Sequence, residues 1–326
     1  MQAQQLAYFL AVAETRHFTR AAEVSRVAQP SLSKQIRNLE EELGAALFSR
    51  ARGNITLTPA GETLLPLAQR ILADMRTARR EVQDLTGMRR GLLRLGATPS
   101  LCGGLLADTL ALFHNRYPGI ELHVEEGGSR DLVRTMARGE LDLALIILPL
   151  HSQDPALETR PILRESLVVA SAKDQPSPTS RASMRITDLV DSPLVMFRRG
   201  YDLRETTLQA CRRAGFEPRL AVEGGEMDAV LRFVEAGLGL AIVPSMVLRN
   251  RPGLRGTPLA RPRLSRTIAM AHRKDVEPTH TARMFRHTLT DQLAQLDDTE
   301  LGEDLEVIDA VTPEQPHSGD RGQTAE

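Results

Sequence analysis

The chain is poor in the features on which secreted and membrane proteins depend. Two cysteines, Cys102 and Cys211, stand among 326 residues, too few for a disulfide framework, so a reducing cytoplasm is the expected compartment. The longest apolar run, Leu143–Leu150, falls far short of the ~18 residues a membrane helix needs. No basic segment precedes Leu6–Ala13, and Glu14 interrupts that stretch, so neither a secretory leader nor a membrane partner is expected. Catalytic signatures are missing too: GxSxG, HExxH, a Walker A loop and a GxGxxG after a strand are all absent. The eight histidines are scattered, with none at metal-ligand spacing to a cysteine or carboxylate. No enzymatic activity, metal or cofactor is therefore expected. Lysine is scarce as well, with three residues against 38 arginines, a bias that fits a GC-rich genome and carries no functional reading.

What is present is the composition of a soluble globular protein, 41% hydrophobic and 25% charged, long enough for about two domains. The formal net charge of -1 hides an asymmetry. Residues 1–90 hold 13 Lys+Arg against 9 Asp+Glu, whereas residues 291–326 hold one Arg against 11 acids. That acidic end, rich in Gly, Pro, Gln, Ser and Thr, reads as a disordered, solvated tail.

The first sixty residues read as helices and turns. Leu6, Phe9, Leu10 and Ala13 recur at helical spacing, predicting a helix over about Gln4–Thr15. Thr19 is the expected N-cap of a short second helix through Ala21, Ala22 and Val24. After a turn at Arg26–Ala28, Pro30 is expected to open a third helix to about Leu43, ended by Gly44. It should bury Leu32, Ile36 and Leu39 and turn Ser31, Ser33, Lys34 and Arg37 to solvent. Two readings fit: a helix-turn-helix entering the DNA major groove, and an ordinary three-helix packing module with solvated charges. In the first, base edges are read near the helix start while basic side chains and helix-end N–H groups grip phosphates, so Thr19 and Pro30 join the DNA-facing set. Ser49–Thr56, with its Gly53-Asn54 turn, looks like a wing presenting Arg50 and Arg52.

Thr58-Pro59 then opens a long helix to about Leu85. Its apolar residues Leu64, Ala68, Ile71, Met75, Ala78, Val82 and Leu85 are spaced 4, 3, 4, 3, 4, 3. This fits a dimerisation seam, or a stripe packed on the chain's own core. From Gly91 onward short β-rich runs alternate with helices, which argues an α/β fold with largely parallel sheets and two lobes. The strands expected are Leu92–Gly96, Ile120–Glu125, Leu143–Leu148, Ser166–Ser171, Pro193–Phe197, Leu220–Val222, Gly239–Val243 and Thr267–His272. Gly103-Gly104 and Gly127-Gly128 read as strand-to-helix turns, or as anion sites. Cys102 and Cys211 fall in different lobes and read as two plain thiols.

The N-terminal segment resembles the LysR-type transcriptional regulators. The residues that carry the resemblance are Leu6–Glu14, Phe18–Glu23, Gln29–Gly44, Leu47–Arg50 and Leu57–Gly61. Weaker signatures follow at Tyr117-Pro118-Gly119, Gly139–Ala144 and Gly237–Pro244. The resemblance implies a winged helix-turn-helix domain, mainly α, over residues 1–60 and a linker dimerisation helix over 61–90. A two-lobed α/β effector domain like a periplasmic binding protein follows over 91–290, with lobe I about 91–162 and 266–290 and lobe II about 163–265. It places Gln29, Ser31, Ser33, Lys34 and Arg37 on the recognition helix and Arg50 and Arg52 on the wing. Ala28 stands where many members carry a capping Ser or Thr. An effector cleft between the lobes would use Thr98, Ser100 and Leu101 after the first strand, with Ser129, Phe197 and Met227 on the facing loops. The partners implied are double-stranded DNA, a small effector for which a carboxylate or similar anion suits the loop hydroxyls, RNA polymerase, and further copies of the chain as homodimer or homotetramer. A stand-alone solute-binding protein and an α/β enzyme are the rival readings. Residues 1–60 count against the first, and the lack of any acid/base or nucleophile cluster against the second.

Overall fold

The computed structural model describes residues 1–49, 54–85, 91–150, 156–260, 263–295 and 304–308. Arg50 and Arg52, and the tip of the expected wing with them, lie outside the described residues.

Three helices open the chain: α1 (Ala3–Thr15), α2 (Phe18–Val24) and α3 (Gln29–Leu43). Their apolar faces meet on Phe9, Val12, Leu32, Ile36 and Leu39, as the 3.6-residue spacing requires. Phe48 closes this core, its ring 5.3 Å from Phe9 and 5.8 Å from Phe18. Thr19 does not cap α2. Arg16 ends α1 in the left-handed region at φ 52°, leaving His17 extended, so the helix starts at Phe18 and His17 Nδ1 accepts the Arg20 N–H at 3.4 Å. Strands β1 (Phe48–Ser49) and β2 (Thr56–Leu57) pair antiparallel. The side chain of Glu40 on α3 anchors them, accepting the N–H groups of Leu47 and Phe48.

Helix α4 (Pro59–Leu85) has three faces. Leu64 and Ala68 belong to the N-terminal core, so the first part of the apolar stripe packs within the chain. Further along, Met75 is 47% and Val82 61% exposed. A third face docks on the second half of the molecule. There Asp74 takes Arg273 Nη1 at 2.5 Å and Nη2 at 3.3 Å. Gly139, at φ +74°, comes so close that a Cβ there would lie 2.7 Å from the Ala73 methyl. Asp275 shares Arg273, whose hydrogen bonds hold its carboxyl below the ordinary 3.8. A depressed native value means that the contribution is complete above pH ~4 and fades as pH falls through the folded value.

Lobe I begins with β3 (Leu92–Ala97), α5 (Pro99–Leu101), α6 (Ala107–Arg116), β4 (Glu121–Glu126), α7 (Ser129–Ala137) and β5 (Leu143–Leu148). Strand β3 pairs in parallel with both β4 and β5. The Gly103-Gly104 turn is drawn out, because Cys102–Leu106 forms a wide turn in which Gly104 takes a non-helical φ −125°, ψ −110°, and α6 starts only at Ala107. Lobe II holds β7 (Leu194–Met196), α8 (Asp202–Arg213), β8 (Leu220–Glu223), α9 (Met227–Glu235), β9 (Ala241–Pro244) and β10 (Leu254–Pro258), reached through β6 (Leu157–Ala172). The chain returns by β11 (Ser265–Arg273) and α10 (His280–Gln295).

Strand β6 joins the lobes. Leu157–Ser166 pairs antiparallel with β11, and Leu167–Ala172 pairs with β9 and β10. The sequence pattern gave only Ser166–Ser171, because the first half of β6 is broken by Pro161 and carries polar residues that face solvent. Each lobe has its own core, around Leu93, Phe113, Ile268 and Phe285 in one and Val169, Phe197, Val230 and Val243 in the other. Beyond position 290 the structure departs from a solvated tail. Helix α10 runs to Gln295, and Leu305–Val307 form strand β12 against β6. Leu305 is buried in the lobe I core, which outweighs the acidity of its neighbours.

Candidate nucleic-acid interface and ligand cleft

The exposed face of α3 carries the expected polar set. Gln29, Pro30, Ser31, Lys34 and Arg37 are exposed and Ser33 is half-buried, while Leu32, Ile36 and Leu39 point into the core. Ala28 precedes the helix in extended conformation with no side-chain cap; Pro30 has no N–H and the Ser31 N–H donates to the Ala28 carbonyl at 3.0 Å, so within the first three residues the Gln29 N–H is the one that can face an anion. Gln29 Nε2 donates to Ser33 Oγ at 2.9 Å, one turn on. Thr19 is exposed in the first turn of α2. A short helix, a tight turn and a second helix with small polar and basic residues at its start form a shape that fits a major groove.

The loops at the carboxyl ends of the strands converge between the lobes, where ligands lie in open α/β sheets. Arg266 of β11 and Glu165 of β6 form a buried ion pair at its floor. Arg266 Nε donates to Glu165 Oε2 at 2.8 Å, and Nη2 lies 2.7 Å from the same oxygen without hydrogen-bond geometry. Glu165 Oε1 accepts the Met246 N–H, and Arg266 Nη1 donates to Ser100 Oγ at 2.7 Å. Thr98 and Ser100 are 3.5 Å apart and line a small cavity with Ile147, Tyr201, Asp202 and Arg266. Ser129 of lobe I donates to Asp202 Oδ2 of lobe II at 2.8 Å and accepts the Ile147 N–H at 3.1 Å. Three of the residues expected at the cleft, Thr98, Ser100 and Ser129, are therefore brought together.

Of the other three, Leu101 and Phe197 lie beneath the loops, and Met227 faces a second part of the space between the lobes. Leu101 is fully buried in the lobe I core. Phe197 sits under Tyr201, the two rings stacked with centroids 4.7 Å apart, and it is Tyr201 that reaches the cleft. Met227 lines a larger interlobe cavity of about 490 Å³, walled by Cys102, Asp108 and Glu126 of lobe I and Glu226 and Asp228 of lobe II, which adjoins the first at Pro99 and Ser100. Tyr201, Asp202, Arg266 and Glu165 were missed. A strand ending at Met196 puts Tyr201 and Asp202 at the start of the next helix, and the tendency of ligands to lie at the carboxyl ends of strands points to both. For Arg266 and Glu165, 101 residues apart, no local signal exists.

Neither thiol is activated. Burial, with Glu126 adding to it, pushes the Cys102 thiol up to about 12, and burial pushes Cys211 up to about 11. Among the described residues no group of three or more His, Cys, Asp or Glu could hold a metal, and no helix is long and apolar enough to cross a membrane.

Residues 3–62 match the bacterial regulatory helix-turn-helix family of LysR type, and residues 86–294 match the LysR substrate binding domain. The transcriptional dual regulator GltC of Bacillus subtilis is 29% identical over 287 residues, covering 87% of this chain and 95% of that protein. A hydrogen peroxide-inducible genes activator of Dickeya chrysanthemi is 30% identical over 276 residues, covering 84% and 90%. The structure of full-length CbnR complexed with its target DNA superposes with a TM-score of 0.66 at 25% identity, covering 89% of this chain and 99% of CbnR. With both family matches in the same order as the two halves of the fold, and a helix-turn-helix at one end and a two-lobed cleft at the other, the chain belongs to the LysR family of DNA-binding transcriptional regulators.

Proposed function

We propose that this regulator binds an interrupted dyad near a promoter as a homodimer, itself able to pair into a tetramer, in the cytoplasm, and that a small effector in the interlobe cleft sets its contact with RNA polymerase. The observation that carries the reading is the exposed face of α3, where Gln29, Ser31, Lys34 and Arg37 surround an uncapped helix start. Gln29, Ser31 and Ser33 read base edges, Lys34, Arg37, Arg50 and Arg52 hold phosphates, and Thr19 and Pro30 open the helices that carry them. The seam on α4 places two such faces about a two-fold axis, which is why the site is a dyad. The effector acts by binding one arrangement of the lobes better than another. Thr98, Ser100 and Ser129 are its proposed contacts in lobe I, with Leu101 and Phe197 packing beneath the loops and Met227 facing the adjoining cavity.

A salt-titrated gel shift tests the DNA reading. Lys34→Ala and Arg52→Ala should each weaken binding on every sequence and lower the slope of log affinity against log salt by about one. Gln29→Ala should instead cost discrimination between sites at an unchanged slope. Equal slopes in all three variants and the parent would remove the phosphate assignments.

Sensing is non-covalent. Burial pushes both thiols up, which leaves little of either side chain as the reactive thiolate at pH 7. Treatment with hydrogen peroxide should therefore leave the gel shift unchanged, and a Cys102→Ser, Cys211→Ala variant should respond to effector as the parent does. A peroxide-dependent shift that the double variant loses would overturn this.

A further inference from the structure

The lobe contact inside the cleft restricts the chemistry of what can enter; the inference rests on the cleft being the effector site. One hydrogen bond, Ser129 Oγ to Asp202 Oδ2 at 2.8 Å, bridges lobe I and lobe II across the cavity. The space beside it is about 30 Å³, enough for about one water molecule. A ligand seated in this part of the cleft, against Tyr201 and Arg266, therefore parts Ser129 from Asp202, whereas the adjoining interlobe cavity of about 490 Å³ gives it a way in. Ser129 is buried and Asp202 half-buried, and a hydroxyl or carboxylate left there without a partner destabilises the complex. A ligand that lets the lobes close again must accept from Ser129 and donate to Asp202.

The remaining wall asks for the opposite of a cation. Tyr201, 5% exposed, has no hydrogen-bond partner for its hydroxyl. Arg266, 7% exposed, has an Nη2 that meets Glu165 only at ion-pair distance and makes no hydrogen bond. Both line the same cavity as Asp202. Anionic oxygens answer these donors, as carboxylates do at buried hydroxyl and guanidinium groups. A plain carboxylate, however, would meet the Asp202 carboxylate as a like charge, and a plain amine would leave Tyr201 and Arg266 unanswered. We propose that the effector is a small carboxylic acid bearing an amino or hydroxyl group close to the carboxylate, with Asp202 selecting for that donor. Asp202 is thereby the specificity residue of the site, and in the ligand-free protein it holds the hydroxyl of Ser129 that the ligand's carboxylate takes.

The test uses the full chain in calorimetric titrations with matched acids: alanine, lactate and propionate; aspartate, malate and succinate; and the remaining L-amino acids with their 2-hydroxy and unsubstituted counterparts. At least one amino or hydroxy acid should bind tenfold or more tightly than its unsubstituted counterpart, and the amino and hydroxy arms tell which donor is read. In Asp202→Asn that preference should fall to threefold or less, with the unsubstituted acid binding as well as before or better. The proposal is overturned if the unsubstituted acids bind as well as their partners, if the preference survives in Asp202→Asn, or if no probe binds. A protein-free extract of small metabolites, tested by thermal shift on the parent and on Thr206→Trp, which narrows the cleft, keeps the two readings apart. Stabilisation confined to the parent retains the cleft as the effector site even when the panel fails. Stabilisation of both proteins alike removes the cleft reading as well.

Discussion

Glu165→Leu is expected to lower folding stability by about 3–5 kcal/mol, because it strands a buried guanidinium. Glu165 is fully buried, and each of its oxygens has a partner: Oε1 accepts the Met246 N–H and Oε2 accepts Arg266 Nε. Without it Arg266 keeps Ser100 and loses its counter-charge. The position makes the loss worse, since β6 changes partners between Ser166 and Leu167 and Met246 leads away from the strand that takes over. Pairing the change with Arg266→Met should recover most of the stability, since a buried ion pair replaced by apolar groups of similar volume is often neutral or better. Urea unfolding followed by circular dichroism measures both variants. A single variant that loses less than about 1 kcal/mol would mean that the pair is solvated and the floor of the cleft is open.

Met75→Asp together with Val82→Asp should turn the protein into a folded monomer that has lost a hundredfold or more in affinity for a two-half-site DNA. Both side chains are exposed and lie seven residues apart on α4, Met75 at a crevice it shares with Ala3 and Ala7 of α1. Within one chain the substitutions therefore cost little, within about 0.5 kcal/mol each. Across a two-fold seam they set carboxylates against one another in place of an apolar contact. The second DNA module then no longer binds as part of the same molecule, and an effective-concentration gain on the order of 10² or more is lost. Sedimentation and gel shifts on one and two half-sites read the two effects. A variant that sediments as the parent does would place the dimer contact elsewhere.

Much of this architecture was legible in local pattern. The three N-terminal helices and their buried residues followed from 3.6-residue spacing, and β3 and β5 from short apolar runs ending at turns, because each element's own residues decide its form. The cleft was legible only where a loop follows a strand directly, as at Thr98 and Ser129. Phe197 and Tyr201 show the limit: a stacked pair offers two aromatic residues, and only the length of β7 decides which one surfaces. Helix α10 carried a usable signal in Ala282, Phe285 and Leu289, obscured by the polar residues between them. The Glu165–Arg266 pair had none, since Arg266 is one of 38 arginines and its meaning comes from a strand 101 residues away. The helix start at His17 depended on a left-handed Arg16, a conformation that no neighbouring glycine or asparagine announces.

Strand β12 gives the acidic end of the chain a meaning of another kind. It lies end to end with β9 along one side of β6, pairing Leu305–Val307 with Leu163–Glu165 while the Ile308 N–H reaches the Ile162 carbonyl. A chain that stopped at α10 would leave that stretch of backbone as a bare edge, a template onto which the strand of another molecule could add. Glu306, ion-paired with Arg164 on the outer surface, makes the covering strand charged and unattractive to further strands. Residues 304–308 thus cover an edge that the rest of the chain leaves open, in a part of the sequence that lies past the end of the family match at residue 294.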